Sequence, residues 1–255
     1  MIRLRRSLVS ALAVGTMLLL AGCGSSATTS QPKLGTGDPL DKPLPAAIEH
    51  MTFTDETGKK VQLSDYAGRT IMLQDVLTLC QEHCPIDTAA FVQTAQRYAA
   101  TASDPGKVVF LSITVDPQRD TTAQLAAYRR MYVGSESHLP QWHLLTAKPA
   151  ELKQLWHLLG VYNQRVPEDK GQVVRNWRTG KVLTYDVDHS DVVYVVDDNR
   201  TERYLFDGQP YLHGATIPPR MRRFMSAEGR RNQMHGSWTS GQALQILDWV
   251  AAHPS

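Results

Sequence analysis

Val108–Val115 is a continuous apolar run, and it constrains the fold of this chain more tightly than any other stretch. A strand that does not alternate between apolar and polar residues is buried on both faces. It belongs at the centre of a sheet covered by helices on two sides. Neighbouring segments supply that arrangement. Thr70–Leu77 reads as another buried strand, and Thr88–Ala102 between the two has helical spacing through Ala89, Phe91 (or Val92), Ala95 and Tyr98. Thr121–Met131 predicts a second helix, His143–Leu145 a short strand, and Pro149–Leu159 a helix opened by proline in its first turn. Downstream, Asp191–Val196 and Arg203–Phe206 flank the turn Asp197-Asp198-Asn199 as a hairpin, and Gly241–Ala252 predicts the last helix.

Strand–helix–strand–helix followed by a hairpin and a helix is a βαβ pattern with an antiparallel end. The order is that of an α/β, thioredoxin-like fold. An extra N-terminal hairpin, Met51–Thr54 and Val61–Leu63, stands in front of it. Two stretches exceed the minimal pattern. Residues 161–185 form a long polar excursion, and residues 209–238 are an insertion before the last helix, with Pro218-Pro219, several arginines and no clear periodicity. Long loops in a compact domain are usually functional or disordered.

Residues 1–22 read as a lipoprotein signal peptide. Arg3, Arg5 and Arg6 supply positive charge, and Leu8–Leu20 is an apolar run too short to span a bilayer comfortably. Leu20-Ala21-Gly22-Cys23 resembles a bacterial lipobox. On that reading Cys23 carries the acyl chains that hold the protein to a bacterial membrane, outside the cytoplasm. The alternative is an ordinary membrane anchor with a chance cysteine. Residues 23–45 are rich in Gly, Ser, Thr, Pro and Asp and predict a flexible tether, which leaves 46–255 as the folded domain. The 255 residues are 42% hydrophobic and 20% charged with a net charge of +2, enough apolar material for a core and no case for nucleic acid.

Of three cysteines, one is assigned to lipid, and Cys80 and Cys84 remain as a close pair. Cys80-Gln81-Glu82-His83-Cys84-Pro85 follows the first central strand and precedes the first long helix, at the sheet edge where open α/β folds place their sites. Pro85 suits the first helical position, so Cys84 belongs at a helix N-terminus, where unpaired N–H groups favour a thiolate. Three intervening residues let both sulfurs face one point, which serves a disulfide or two ligands to a soft metal. A plain structural disulfide is an alternative, although so short a loop restrains little of the unfolded chain. A third ligand would come from one of nine histidines. His83 is pushed aside when the sulfurs converge. His189, in Val187-Asp188-His189-Ser190, ends the long excursion. In a thioredoxin-like domain that segment runs beside the start of the active-site helix, so His189 could reach both sulfurs.

Cys80-x-x-x-Cys84-Pro85, Thr114-Val115-Asp116-Pro117-x-x-Asp120-Thr121 and Val187-Asp188-His189-Ser190 occur in the order and spacing of the Sco/SenC family. The sequence resembles that family over about residues 50–206 plus the last helix. The resemblance implies copper held by Cys80, Cys84 and His189, since thiolates select Cu(I) and imidazole also tolerates Cu(II). It further implies a chaperone that loads the dicopper centre of a cytochrome c oxidase, with the oxidase subunit, a copper donor and a thiol reductant as partners. A thiol–disulfide oxidoreductase, using the same redox-active pair to keep that subunit's cysteines reduced, is the competing reading, and it does not require His189. Peroxide reduction has little support beyond Thr78. The sequence departs from the family at Leu79-Cys80-Gln81, where Thr-Cys-Pro is usual, and at Gln74-Asp75-Val76-Leu77, where aromatic residues are usual. Asp116 matches the family's Asp-Pro element; it either modulates the thiols or caps the turn with Asp120 and Thr121. Met221, Met225, Met234, His213 and His235 form a second soft-metal patch or simply pack.

Overall fold

The computed structural model describes residues 31–134, 139–168, 173–233 and 235–255. The signal peptide over 1–22, Cys23 and Met234 lie outside the described residues. The described chain enters through β1 (Asp38–Pro43), a short helix α1 (Ala46–Glu49) and the hairpin β2 (Phe53–Asp55) and β3 (Lys60–Val61). The βα units follow: β4 (Thr70–Val76), α2 (Cys84–Thr101), β5 (Val108–Thr114), α3 (Thr122–Val133), β6 (Trp142–Thr146) and α4 (Pro149–Leu159). The polar excursion contains β7 (Asn163–Val166) and runs into β8 (Asp186–His189), and the hairpin is β9 (Val192–Val196) and β10 (Thr201–Asp207). The insertion folds as β11 (Pro210–Tyr211), α5 (Pro219–Phe224), α6 (Ala227–Asn232) and β12 (Trp238–Thr239), before α7 (Ser240–Ala252).

Eight strands make one sheet in the order β1-β10-β9-β4-β5-β6-β2-β3, with β4, β5 and β6 parallel and β9 antiparallel to β4. This is the thioredoxin arrangement. The apolar run that pointed to it divides by parity. Val108 and Phe110 of β5 face a core with α2, α3, α5 and α7, whereas Val109, Leu111 and Ile113 face one with α1 and α4. Every one of these residues is buried. At Phe110, packed edge-on against Phe91 with ring centroids 5.6 Å apart, burial alone contributes roughly 1.5–3 kcal/mol. Polar Ser112 is tolerated at this depth because its Oγ accepts from Gln74 Nε2 (2.8 Å) and Trp142 Nε1 (3.0 Å).

The folded part starts earlier than the tether reading expects. β1 pairs antiparallel with β10, Asp38 opposite Leu205 and Pro43 opposite Thr201, and Leu44 is buried behind it. Joining an open edge needs only backbone N–H and C=O groups, so a strand there can lack apolar alternation and carry prolines. The insertion is likewise ordered: Met221 and Met225 lie in the core with Ile217 and Trp238, which settles their role as packing. Among the described residues no helix is long and apolar enough to cross a membrane.

Candidate metal centre

The Cys80–Cys84 loop is fixed at both ends. Before it, Thr78 leaves β4 with its N–H (3.2 Å) and hydroxyl both donating to the buried Asp120 carboxylate, which also accepts from Thr114 Oγ1 (2.7 Å). Trp177 Nε1 donates to the Thr78 carbonyl at 2.7 Å. Burial raises the Asp120 pKa to about 6, with the threonine hydrogen bonds pulling the other way. After the loop, α2 begins at Cys84 with Pro85 in its first turn, as the spacing predicts. Each sulfur therefore sits on an anchored segment.

Cys80 and Cys84 are unpaired, buried thiols, 8% and 2% exposed. They hydrogen-bond to each other, and Glu82 N–H donates to Cys80 Sγ at 3.4 Å. The bond from Cys84 draws the Cys80 thiol below its ordinary pKa against burial, and the His189 charge adds to this. Burial pushes the Cys84 thiol well above its ordinary value. The thiolate therefore favours Cys80 in the loop. The helix start had suggested Cys84, but there desolvation outweighs the unpaired N–H groups.

His189 closes the other side. It is the last residue of β8, where Asn163 of β7 pairs with it, and its Nε2 lies 3.2 Å from Cys84 Sγ. Its Nδ1–H donates to Asp75 Oδ2 (2.6 Å) and to the Ser190 carbonyl (2.8 Å), two acceptors that assign the proton and leave Nε2 facing the sulfur. Burial alone would lower the imidazole pKa, but the Asp75 carboxylate overrides it and holds the value at about 10. Asp75 Oδ1 accepts from Val192 N–H at 3.1 Å, so the carboxylate is itself held.

Further carboxylates stand behind this pair. Asp87 and Asp191 share a hydrogen bond, and burial raises both pKa values. With Gln74 and Asp75 they line a water-sized cavity of about 10 Å³. The sequence reading did not single out Asp75, Asp87 or Asp191 as site residues. The available signal was a carboxylate inside the buried strand Thr70–Val76.

Asp116 is placed elsewhere. Its side chain pairs with Arg119 and accepts from Tyr185 Oη (3.1 Å), with Arg165 at 4.0 Å, while its carbonyl accepts from Asp120 N–H (2.9 Å) to close the turn. Its carbonyl thus serves the turn while its carboxylate is held by Arg119 and by Tyr185 of the polar excursion, and Thr121 caps α3. Among the described residues, the one group of three whose candidate ligand atoms all lie within 4.8 Å of one another is Asp55, Glu56 and His143. Arg129 Nε lies 3.2 Å from Glu56 Oε1 and already supplies a cation there.

Fold and site define a thioredoxin-type protein with a buried Cys-x-x-x-Cys pair faced by an oriented imidazole. The family model described as SCO1/SenC matches residues 42–216. The mitochondrial SCO2 homolog of Bos taurus is 29% identical over 153 residues, covering 59% of this chain and 51% of that protein. The SCO1 homolog of Bacillus subtilis is 29% identical over 110 residues, 43% and 54% of the two chains. A SCO1/SenC family lipoprotein from Bacillus anthracis shares the fold, with a TM-score of 0.51 and 22% identity over 73% of this chain and 97% of that one. The chain belongs to the SCO1/SenC family. It spans about half the length of the curated relatives it matches.

Proposed function

We propose that this protein is a copper chaperone, lipid-anchored outside the cytoplasm through Cys23, that assists assembly of the dicopper centre of a cytochrome c oxidase. Copper is its cargo, taken up by Cys80, Cys84 and His189. The observation that carries the reading is His189 Nε2 at 3.2 Å from Cys84 Sγ with Nδ1 held by Asp75. A thiol exchange site does not need that imidazole, whereas two thiolates and one imidazole suit copper in both oxidation states. Thiol exchange remains a second reading because the lowered Cys80 pKa provides an attacking thiolate.

The reduced domain is expected to bind one copper per chain and the disulfide form none, measured by anaerobic titration. Equal retention by both forms would sink the two-thiolate site. A Cys23→Ser variant is expected to leave the membrane fraction or persist as uncleaved precursor, with copper binding unchanged. Undiminished lipid labelling in that variant would reject the anchor.

A further inference from the structure

We infer that Ser226 and Gly229 are positioning residues for the copper site: they hold the peptide between Gln81 and Glu82 so that its N–H points at the Cys80 sulfur. The inference rests on the copper reading above and gives the 209–238 insertion a role at the metal. Most of that segment, these two residues included, lies beyond residue 216, where the match to the family model ends.

One peptide unit carries the geometry. Its oxygen, the Gln81 carbonyl, accepts from Ser226 N–H at 3.0 Å. Its nitrogen, Glu82 N–H, donates to Cys80 Sγ at 3.4 Å. The unit is planar, so holding the oxygen sets the direction of the N–H. Each bond also polarises the peptide in the sense that strengthens the other. Gly229 of α6 packs on the same unit: a Cβ there would overlap the Gln81 carbonyl and stand 2.8 Å from Glu82 Cα. Ser226 ties the two together, its Oγ accepting from Gly229 N–H (3.0 Å) and its side chain hydrogen-bonding Glu82. Next along the loop, His83 Nδ1 lies 2.7 Å from Gln209 Oε1, so every residue between the cysteines touches the insertion. An N–H aimed at a thiolate stabilises its charge, and such bonds tune a copper–thiolate centre. Loss of this one should make Cys80 a stronger donor and move the sulfur-to-Cu(II) absorption to lower energy.

The test compares Ser226→Pro with Ser226→Ala. Proline replaces the N–H with a methylene, which removes the donor and pushes the Gln81 carbonyl away. The backbone accepts it, because Ser226 has φ −61° and Met225 before it is extended at φ −57°, ψ 144°. Alanine keeps the N–H and loses only the hydroxyl. Both lose the Oγ cap of α6, so the difference between them isolates the backbone contact. In the reduced, copper-free protein, deuterium exchange at the Glu82 amide should be at least tenfold faster in Ser226→Pro than in Ser226→Ala. With Cu(II) bound, its absorption should lie at lower energy. Gly229→Ala should reproduce both shifts by displacing the peptide, and thermal melting checks that each variant folds. Wild type needs no substitution: its Glu82 amide should exchange at least tenfold more slowly than an unstructured amide. Unprotected exchange there, equal exchange in the two Ser226 variants, or faster exchange with no change in absorption would overturn the role of the insertion. Wild-type protein that takes up no copper would instead overturn the reading beneath it, while the exchange rates still decide whether Ser226 holds the peptide.

Discussion

His189→Ala is expected to abolish the intense sulfur-to-Cu(II) absorption and most Cu(II) affinity, while a Cu(I) complex survives. Two thiolates alone hold Cu(I) in a near-linear arrangement, but Cu(II) prefers about four ligands including nitrogen. With the imidazole removed, the vacated position falls to water. The loss should exceed the roughly 10–100-fold that removing an outer partner of a ligand costs. The disulfide should still form and be reduced, since Cys80 and Cys84 keep their contact. A defect in oxidase assembly in this variant would point to copper delivery, and normal assembly to thiol exchange. Unchanged Cu(II) spectra and affinity would remove His189 from the ligand set.

Asp75→Asn should act one step further out. The amide keeps an acceptor for His189 Nδ1 but loses the charge, and Cu(II) affinity should fall by about 10–100-fold. The apoprotein gives a separate readout through pH. His189 is held at about 10 in the fold, above its ordinary 6.5. The resulting stabilisation is fully present below pH 6.5 and is lost as pH rises through 10. Without the carboxylate, burial dominates and the imidazole stays neutral near pH 7. The variant should therefore be less stable than wild type at pH 7, and the gap should close toward pH 10, read as urea midpoints. Parallel pH profiles for the two proteins would show that Asp75 does not set the charge of His189.

Much of this architecture is written locally. β4, β5, α4 and the β9–β10 hairpin lie within one or two residues of the expected segments, because apolar runs and a leading proline report nearby backbone geometry. The approach of His189 to Cys84 was also legible: a short Cys spacing at a strand–helix junction and a histidine before a strand have few places to go in a βαβ fold. Asp75 was not, because its partner is 114 residues away and only the pairing of β4 with β9, the strand that follows β8, brings the two together. Gln209 is 126 residues from His83, in a segment without periodicity. β1 escaped notice for the opposite reason. An edge strand needs no apolar pattern at all.

That edge strand has a consequence for how copies of the protein coexist. Unpaired sheet edges are templates for joining another chain, and this sheet has two ends to protect. At one end β3 is only two residues long. At the other, β1 lies along β10 from Thr201 to Leu205, and Pro39 and Pro43 have no N–H to offer a newcomer. Were residues 38–43 cut away, Thr201–Asp207 would become a long open border carrying Tyr204 and Phe206. The stretch leading into the domain thus keeps crowded molecules from zipping together edge to edge.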